Sequence, residues 1–122
     1  MISLFVGLGG ALGALARFAL GGWLAAWAPP GFPWATLAAN GGGSLLLGWA
    51  SRRLPATRTS PRARAFVTIG VCGGFTTFSA FDHELVALVG DGRAATAALY
   101  ATVSVVLCVV GVFVGRRLAR PA

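Results

Sequence analysis

Four long apolar runs, at 2–28, 34–54, 65–89 and 94–118, are separated only by short connections. Each approaches or exceeds the roughly 20 residues that cross a bilayer core as a helix. Lipid offers no water to backbone groups, so each run must close its own hydrogen bonds. The third run then departs from this pattern. Gly73-Gly74-Phe75-Thr76-Thr77-Phe78-Ser79-Ala80-Phe81 places two adjacent glycines and two adjacent threonines inside a membrane-length segment. Irregular backbone at that depth is tolerated only where protein buries it or it lines a cavity. The sequence therefore predicts an all-α membrane protein with four transmembrane helices, the third of them broken. The break is the place to look for an ion or substrate.

Composition bounds the rest. The chain is 57% hydrophobic and 11% charged, against about 25% charged in soluble domains, and its mean hydropathy is +0.79. At 122 residues it makes a single four-helix domain, 1–122. The net charge of +7 is carried by arginine without lysine. Membrane topology accounts for these arginines better than nucleic-acid binding does. Arg52, Arg53, Arg58, Arg62 and Arg64 lie between the second and third runs, and Arg116, Arg117 and Arg120 follow the fourth. Arg93 stands alone in the connections on the opposite side. The positive-inside rule then puts both termini in the cytoplasm. Ala26-Trp27-Ala28 imitates a signal-peptide cleavage site, but no basic residue precedes the run and Arg17 interrupts it, so the segment is expected to remain as a span.

Pro29-Pro30-Gly31-Phe32-Pro33 and Asp91-Gly92 read as turns and 55–61 as a polar linker. Gly9 with Gly13, Ser44 with Gly48 and Gly111 with Gly115 have the small-xxx-small spacing of closely packed helices. Cys72 and Cys108 match no metal spacing and read as small buried residues. No nucleotide-binding loop, zinc motif or acid-rich metal cluster occurs, and the chain does not read as an enzyme.

Several polar residues sit where lipid would reject them. Arg17 lies near the middle of the first run, where charge is costly and marks function by default. It is either a structural partner or the source of a positive potential for an anion. Asn40, beside Gly41-Gly42-Gly43, is either packing glue or a donor to an anion. Thr96, Tyr100, Ser104 and Cys108 share one face of the fourth helix at i, i+4 spacing and form a polar track. Phe78 and Phe81 share a face after the break, and the positive edge of a phenyl ring attracts anions. Asp82 and His83 read as interfacial. Glu84 follows Phe81 on one face and is expected to pair with an arginine or mark a pore mouth.

On these residues the chain resembles the CrcB/Fluc family of fluoride channels. The segment 73–81 is similar to the family's G-G-hydrophobic-T-T-F-S-T-F motif. The segment 9–18 resembles G-G-x-x-G-A-x-x-R-Y, and Thr36-Leu37-Ala38-Ala39-Asn40 resembles T-L-x-V-N. The resemblance implies a passive channel in the bacterial inner membrane that sheds toxic fluoride. It implies an antiparallel dimer with two pores along its interface. Phe78 and Phe81 would then line the pores, with Asn40, Thr77, Ser79, Tyr100 and Ser104 as polar contacts and Glu84 and Arg17 at matching family positions. Backbone carbonyls of Gly73 and Thr76 from both subunits would hold one structural sodium ion, Na+.

Ala80 replaces a usual hydroxyl, Asp82 a usually small residue and Phe18 a tyrosine. The strong arginine bias sits awkwardly with one sequence inserting in both orientations. The partner is therefore either a second copy, forming a homodimer, or an oppositely oriented relative. The homodimer is favoured because every pore motif is present in this one chain. The competing class is a small proton-coupled exporter of the multidrug type, which needs an acid in its first helix; the first run has Arg17 and no acid.

Overall fold

A computed structural model describes residues 1–119, which are helical throughout their ordered elements with no strand among them. Arg120, one of the expected topology-setting arginines, lies outside the described residues. Helix α1 spans Ile2–Trp27. It ends because Ala28 precedes Pro29 and takes an extended conformation, with ψ of 143°. Gly31, at φ +91°, reverses the chain into α2, Trp34–Arg53.

The third span is longer than the sequence predicts and covers Pro61–Gly90. Its start lies inside the expected linker because Ser60 caps it, accepting from the Ala63 N–H, with Pro61 at the first helical position. It consists of α3 (Pro61–Ala65), a π-helical stretch (Phe66–Val71), α4 (Cys72–Phe75), an interruption at Thr76 and Thr77, and α5 (Phe78–Gly90). Gly92, at φ +74°, turns the chain into α6, Ala94–Leu118.

Among the described residues three helical segments are long and apolar enough to cross a membrane: α1, the third span and α6. Helix α2 falls short in apolarity, and packing explains why it can. It is lined by buried Thr36, Leu37, Ala39, Gly41, Gly43, Gly48 and Ala50, and it packs most extensively on α6. The small and polar residues that lower its apolarity, Thr36, Gly41, Gly43 and Gly48, lie on this buried face, while Leu45, Leu47 and Trp49 stay exposed.

Helix α1 packs instead on the π-helical stretch and α4. Both seams depend on missing side chains. A Cβ at Gly9 or Gly13 would strike the carbonyls of Phe66 or Val71, and one at Gly74 would strike that of Gly10. Across the α2–α6 seam, a Cβ at Gly48 would meet the Val112 carbonyl and one at Gly115 the Leu45 carbonyl. The close approach expected from the small-residue spacing is present at both. The apolar core gathers Leu37, Phe81, Leu88, Ala97 and Tyr100, with Phe32, Leu85 and Ala101 around it. Large apolar side chains such as Leu8, Leu12 and Leu15 of α1 point outward, as a lipid-facing helix requires.

Candidate functional site

The interruption falls on the threonines rather than on the glycines. Thr76 (φ −82°, ψ 159°) and Thr77 (φ −153°, ψ 121°) are extended, whereas Gly73 and Gly74 remain helical in α4. Each end of the gap is closed by a threonine. Thr76 Oγ1 and its own N–H both donate to the Cys72 carbonyl, at 2.9 and 3.0 Å. Thr77 caps α5, its hydroxyl accepting from the Ala80 N–H at 3.2 Å.

Asn40 of α2 bridges the gap from the side. Its Oδ1 accepts the Thr77 N–H at 2.7 Å and its Nδ2 donates to the Thr77 carbonyl at 3.0 Å. In an unbroken helix the Thr77 N–H would return to the Gly73 carbonyl and the Ala80 N–H to the Thr76 carbonyl. Both donors are spent elsewhere, so the contacts that make the break also release the carbonyls of Gly73 and Thr76. Arg17 of α1 reaches the same place from the other side: its Nε donates to the Gly74 carbonyl at 3.3 Å. A cation there suits the negative end of the helical segment that stops at Phe75.

A groove of about 340 Å³ opens beside the break, lined among others by Asn40, Ser44, Gly73, Thr76, Thr77 and Phe78. The two phenylalanines differ in placement. Phe78 is 73% exposed at the rim of the groove, whereas Phe81 is 9% exposed within the core. Their ring centroids are 5.7 Å apart, and Phe81 lies 5.2 Å from the Tyr100 ring. Ser79 is exposed, with its hydroxyl 3.3 Å from that of Thr77. Cys72 and Cys108 also line the groove as free thiols, and Cys72 is buried as expected.

Glu84 pairs with hydroxyls rather than with an arginine. Thr36 Oγ1 donates to Oε1 and Tyr100 Oη to Oε2, each at 2.6 Å. One carboxylate thus ties α5 to α2 and α6. The arginine alternative is not what the structure shows, because both carboxylate oxygens are taken by hydroxyls that α2 and α6 present to α5. Asp82 and His83 on the adjacent turn are exposed. The row on α6 faces inward as expected: Tyr100 and Ser104 are buried and Thr96 and Cys108 half-buried. Ser104 Oγ is buried and finds no partner among the described residues.

Thr36 is the residue whose role the sequence reading missed. Its signal is its position four residues before Asn40, on the same face of α2. The site therefore gathers Asn40, the threonine pair, the released carbonyls and the ring of Phe78 around one groove.

A family profile described as CrcB-like protein, Camphor Resistance (CrcB), matches residues 4–116. The chain belongs to the CrcB family. Its CrcB-family relatives include a "Fluoride-specific ion channel FluC" of Thermus thermophilus, 45% identical over 115 residues, or 94% of this chain and 91% of that protein. The protein of the same name from Rhizobium meliloti is 42% identical over 118 residues, or 96% of this chain and 94% of that protein. That from an Anaeromyxobacter species is 44% identical over 118 residues, with the same coverage. These CrcB-family names denote a channel, not an enzyme. Together with the three membrane-length apolar segments they make this a multi-pass membrane protein. The matched interval contains every residue of the site, from Arg17 to Ser104.

Proposed function

We propose that this chain is a fluoride-selective passive channel of the bacterial inner membrane. The observation that carries the reading is the break at Thr76–Thr77, held by Asn40 and edged by Phe78 and Phe81, in a chain 45% identical to a protein named as a fluoride-specific ion channel. Fluoride is small and strongly hydrated, so a path must replace its water with donors and positive edges, tightly enough to admit it and loosely enough to release it. Phenyl edges supply attraction without a fixed charge. Asn40, Thr77, Ser79 and Ser104 supply N–H and O–H groups along the path, and the unpartnered Ser104 hydroxyl is a donor already desolvated. Glu84 gathers the hydroxyls of Thr36 and Tyr100 at its end, where an arriving anion competes for the same O–H groups. Arg17 adds positive potential beside the break.

In this reading α2 is the fourth span, shielded by its neighbours, and two chains pack antiparallel. Support comes from the break itself, whose groove and rim ring Phe78 open on the surface of a single chain. A homodimer is proposed because one sequence supplies every element of the path. The released carbonyls of Gly73 and Thr76 suit a hard cation, which takes oxygen ligands. A sodium ion held by these carbonyls in both subunits would join them and add positive charge near the anion path.

The test is halide efflux from liposomes containing the purified protein. Fluoride is expected to leave rapidly and chloride to be retained. Equal chloride flux, or no fluoride flux from folded dimers, would refute the assignment. Crosslinking of a single-cysteine variant expressed alone, with topology tags at both ends, tests the homodimer; copies found in one orientation only would point to an oppositely inserted partner chain.

A further inference from the structure

We propose that Asn40 is a positioning residue for the cation-binding carbonyls, acting by withholding the Thr77 N–H from the Gly73 carbonyl. The inference rests on the cation reading above and extends it to a residue that never touches the ion.

An extended residue inside a helical span presents a bare N–H and a bare carbonyl. A primary amide is the side chain that offers an acceptor and a donor at once. Asn40 uses both on Thr77, at 2.7 and 3.0 Å. Without them the nearest acceptor for the Thr77 N–H is the one a regular helix provides, the Gly73 carbonyl four residues earlier. Recapture would close the gap and take a ligand from the ion.

Helix α2 is suited to this restraint. Ala39, Gly41 and Gly43 around Asn40 are buried, so the amide is mounted on a helix fixed by its neighbours. Gly43, one turn on, lies against the Thr76 methyl, where a Cβ would collide with it. Thus α2 holds both residues of the break, Thr76 by contact and Thr77 by hydrogen bonds. Among the described residues, beyond its chain neighbours and its own helix backbone, no atom lies within 4 Å of a Cβ built at Gly73, so the flank of that residue stays open.

The experiment is thermal unfolding of the purified full-length protein in detergent across a sodium series, with N-methylglucamine keeping ionic strength constant. The wild type is expected to gain stability with a defined sodium midpoint. Asn40→Leu, of similar size but without hydrogen bonding, should raise that midpoint roughly tenfold, because a dimer has two carbonyls to lose, each to about one net hydrogen bond. Asn40→Ser, smaller and easier to fold around, is too short to reach Thr77 and should show the same shift. Asn40→Asp keeps the acceptor for the Thr77 N–H and adds a negative charge that favours a nearby cation, so its midpoint should lie at or below that of the wild type. A merely structural role would lower stability equally at every sodium concentration. An unshifted midpoint in the Leu or Ser variant, or an equal shift in the Asp variant, overturns the proposal while leaving the cation reading intact. A wild type indifferent to sodium overturns both.

Discussion

Replacing Tyr100 with Phe deletes one oxygen and leaves the ring in place. Tyr100 is fully buried, with ring centroids 5.2 Å from Phe81 and 5.5 Å from Phe32, so packing around the retained ring is preserved. What is lost is the 2.6 Å bond to Glu84 Oε2. Side-chain bonds between membrane helices average about 0.6 kcal/mol and reach about 1.7. Bonds to charged groups in soluble proteins are worth about 1.5–3 kcal/mol. A short bond to a carboxylate inside a bundle belongs where these ranges meet, so Tyr100→Phe should cost about 1.5 kcal/mol. Thr36→Val removes the equivalent bond to Oε1 and should cost a similar amount. Because both hydroxyls serve one carboxylate, the double variant should depart from additivity by about 0.5 kcal/mol or more. The assay is equilibrium unfolding in mixed micelles of increasing sodium dodecyl sulfate, followed by the fluorescence of the four tryptophans. A loss below about 0.5 kcal/mol for Tyr100→Phe, together with strict additivity, would refute the view that Glu84 ties α5 to its neighbours.

Gly48→Ala should destabilise the fold by about 1–3 kcal/mol in the same assay, since the new methyl meets the Val112 carbonyl and backbone cannot swing aside as a side chain can. Gly73→Ala meets no atom of the described residues beyond its own helix and should leave the single subunit folded, but it should weaken the proposed dimer, measured by crosslinking, because its methyl enters the groove that the proposed partner would face. Asn40→Asp should slow fluoride efflux from liposomes by about tenfold or more, as a like charge at a few ångströms in a low-dielectric path costs at least about 1.4 kcal/mol.

Much of this was legible in the sequence because membranes enforce simple rules. Run lengths placed the helices within a few residues, and glycine spacing marked both packing seams. The interruption was also legible, though its mechanism was not. The adjacent glycines and threonines together marked the break, yet Gly74 serves close approach to α1 and the threonines do the breaking. The Thr76 hydroxyl, bonded to the turn before it, ends one segment and the capping Thr77 hydroxyl starts the next. The partners of Asn40 and Glu84 were beyond such reasoning. They lie 37 and 48 residues away in the chain, at Thr77 and Thr36, and only the tertiary arrangement brings them together. The π-helical stretch carries no local mark that periodicity could detect, since its residues are ordinary helix-compatible types. Helix α2 was read as a span on length, and its weak apolarity makes sense only once its glycines and Thr36 are seen buried on one face.

The bond from Arg17 to Gly74 has a consequence for how the protein is made. Its two ends are separated by 57 residues. At about 5–20 residues per second, a ribosome delivers the carbonyl roughly 3–11 s after the guanidinium. Throughout that interval Arg17 lacks the carbonyl that answers it in the folded chain, and Gly9 and Gly13 lack the backbone they pack against. The newborn chain is therefore most exposed to mispairing until Gly74 has been made, and any holdase that aids its biogenesis has most to offer before then.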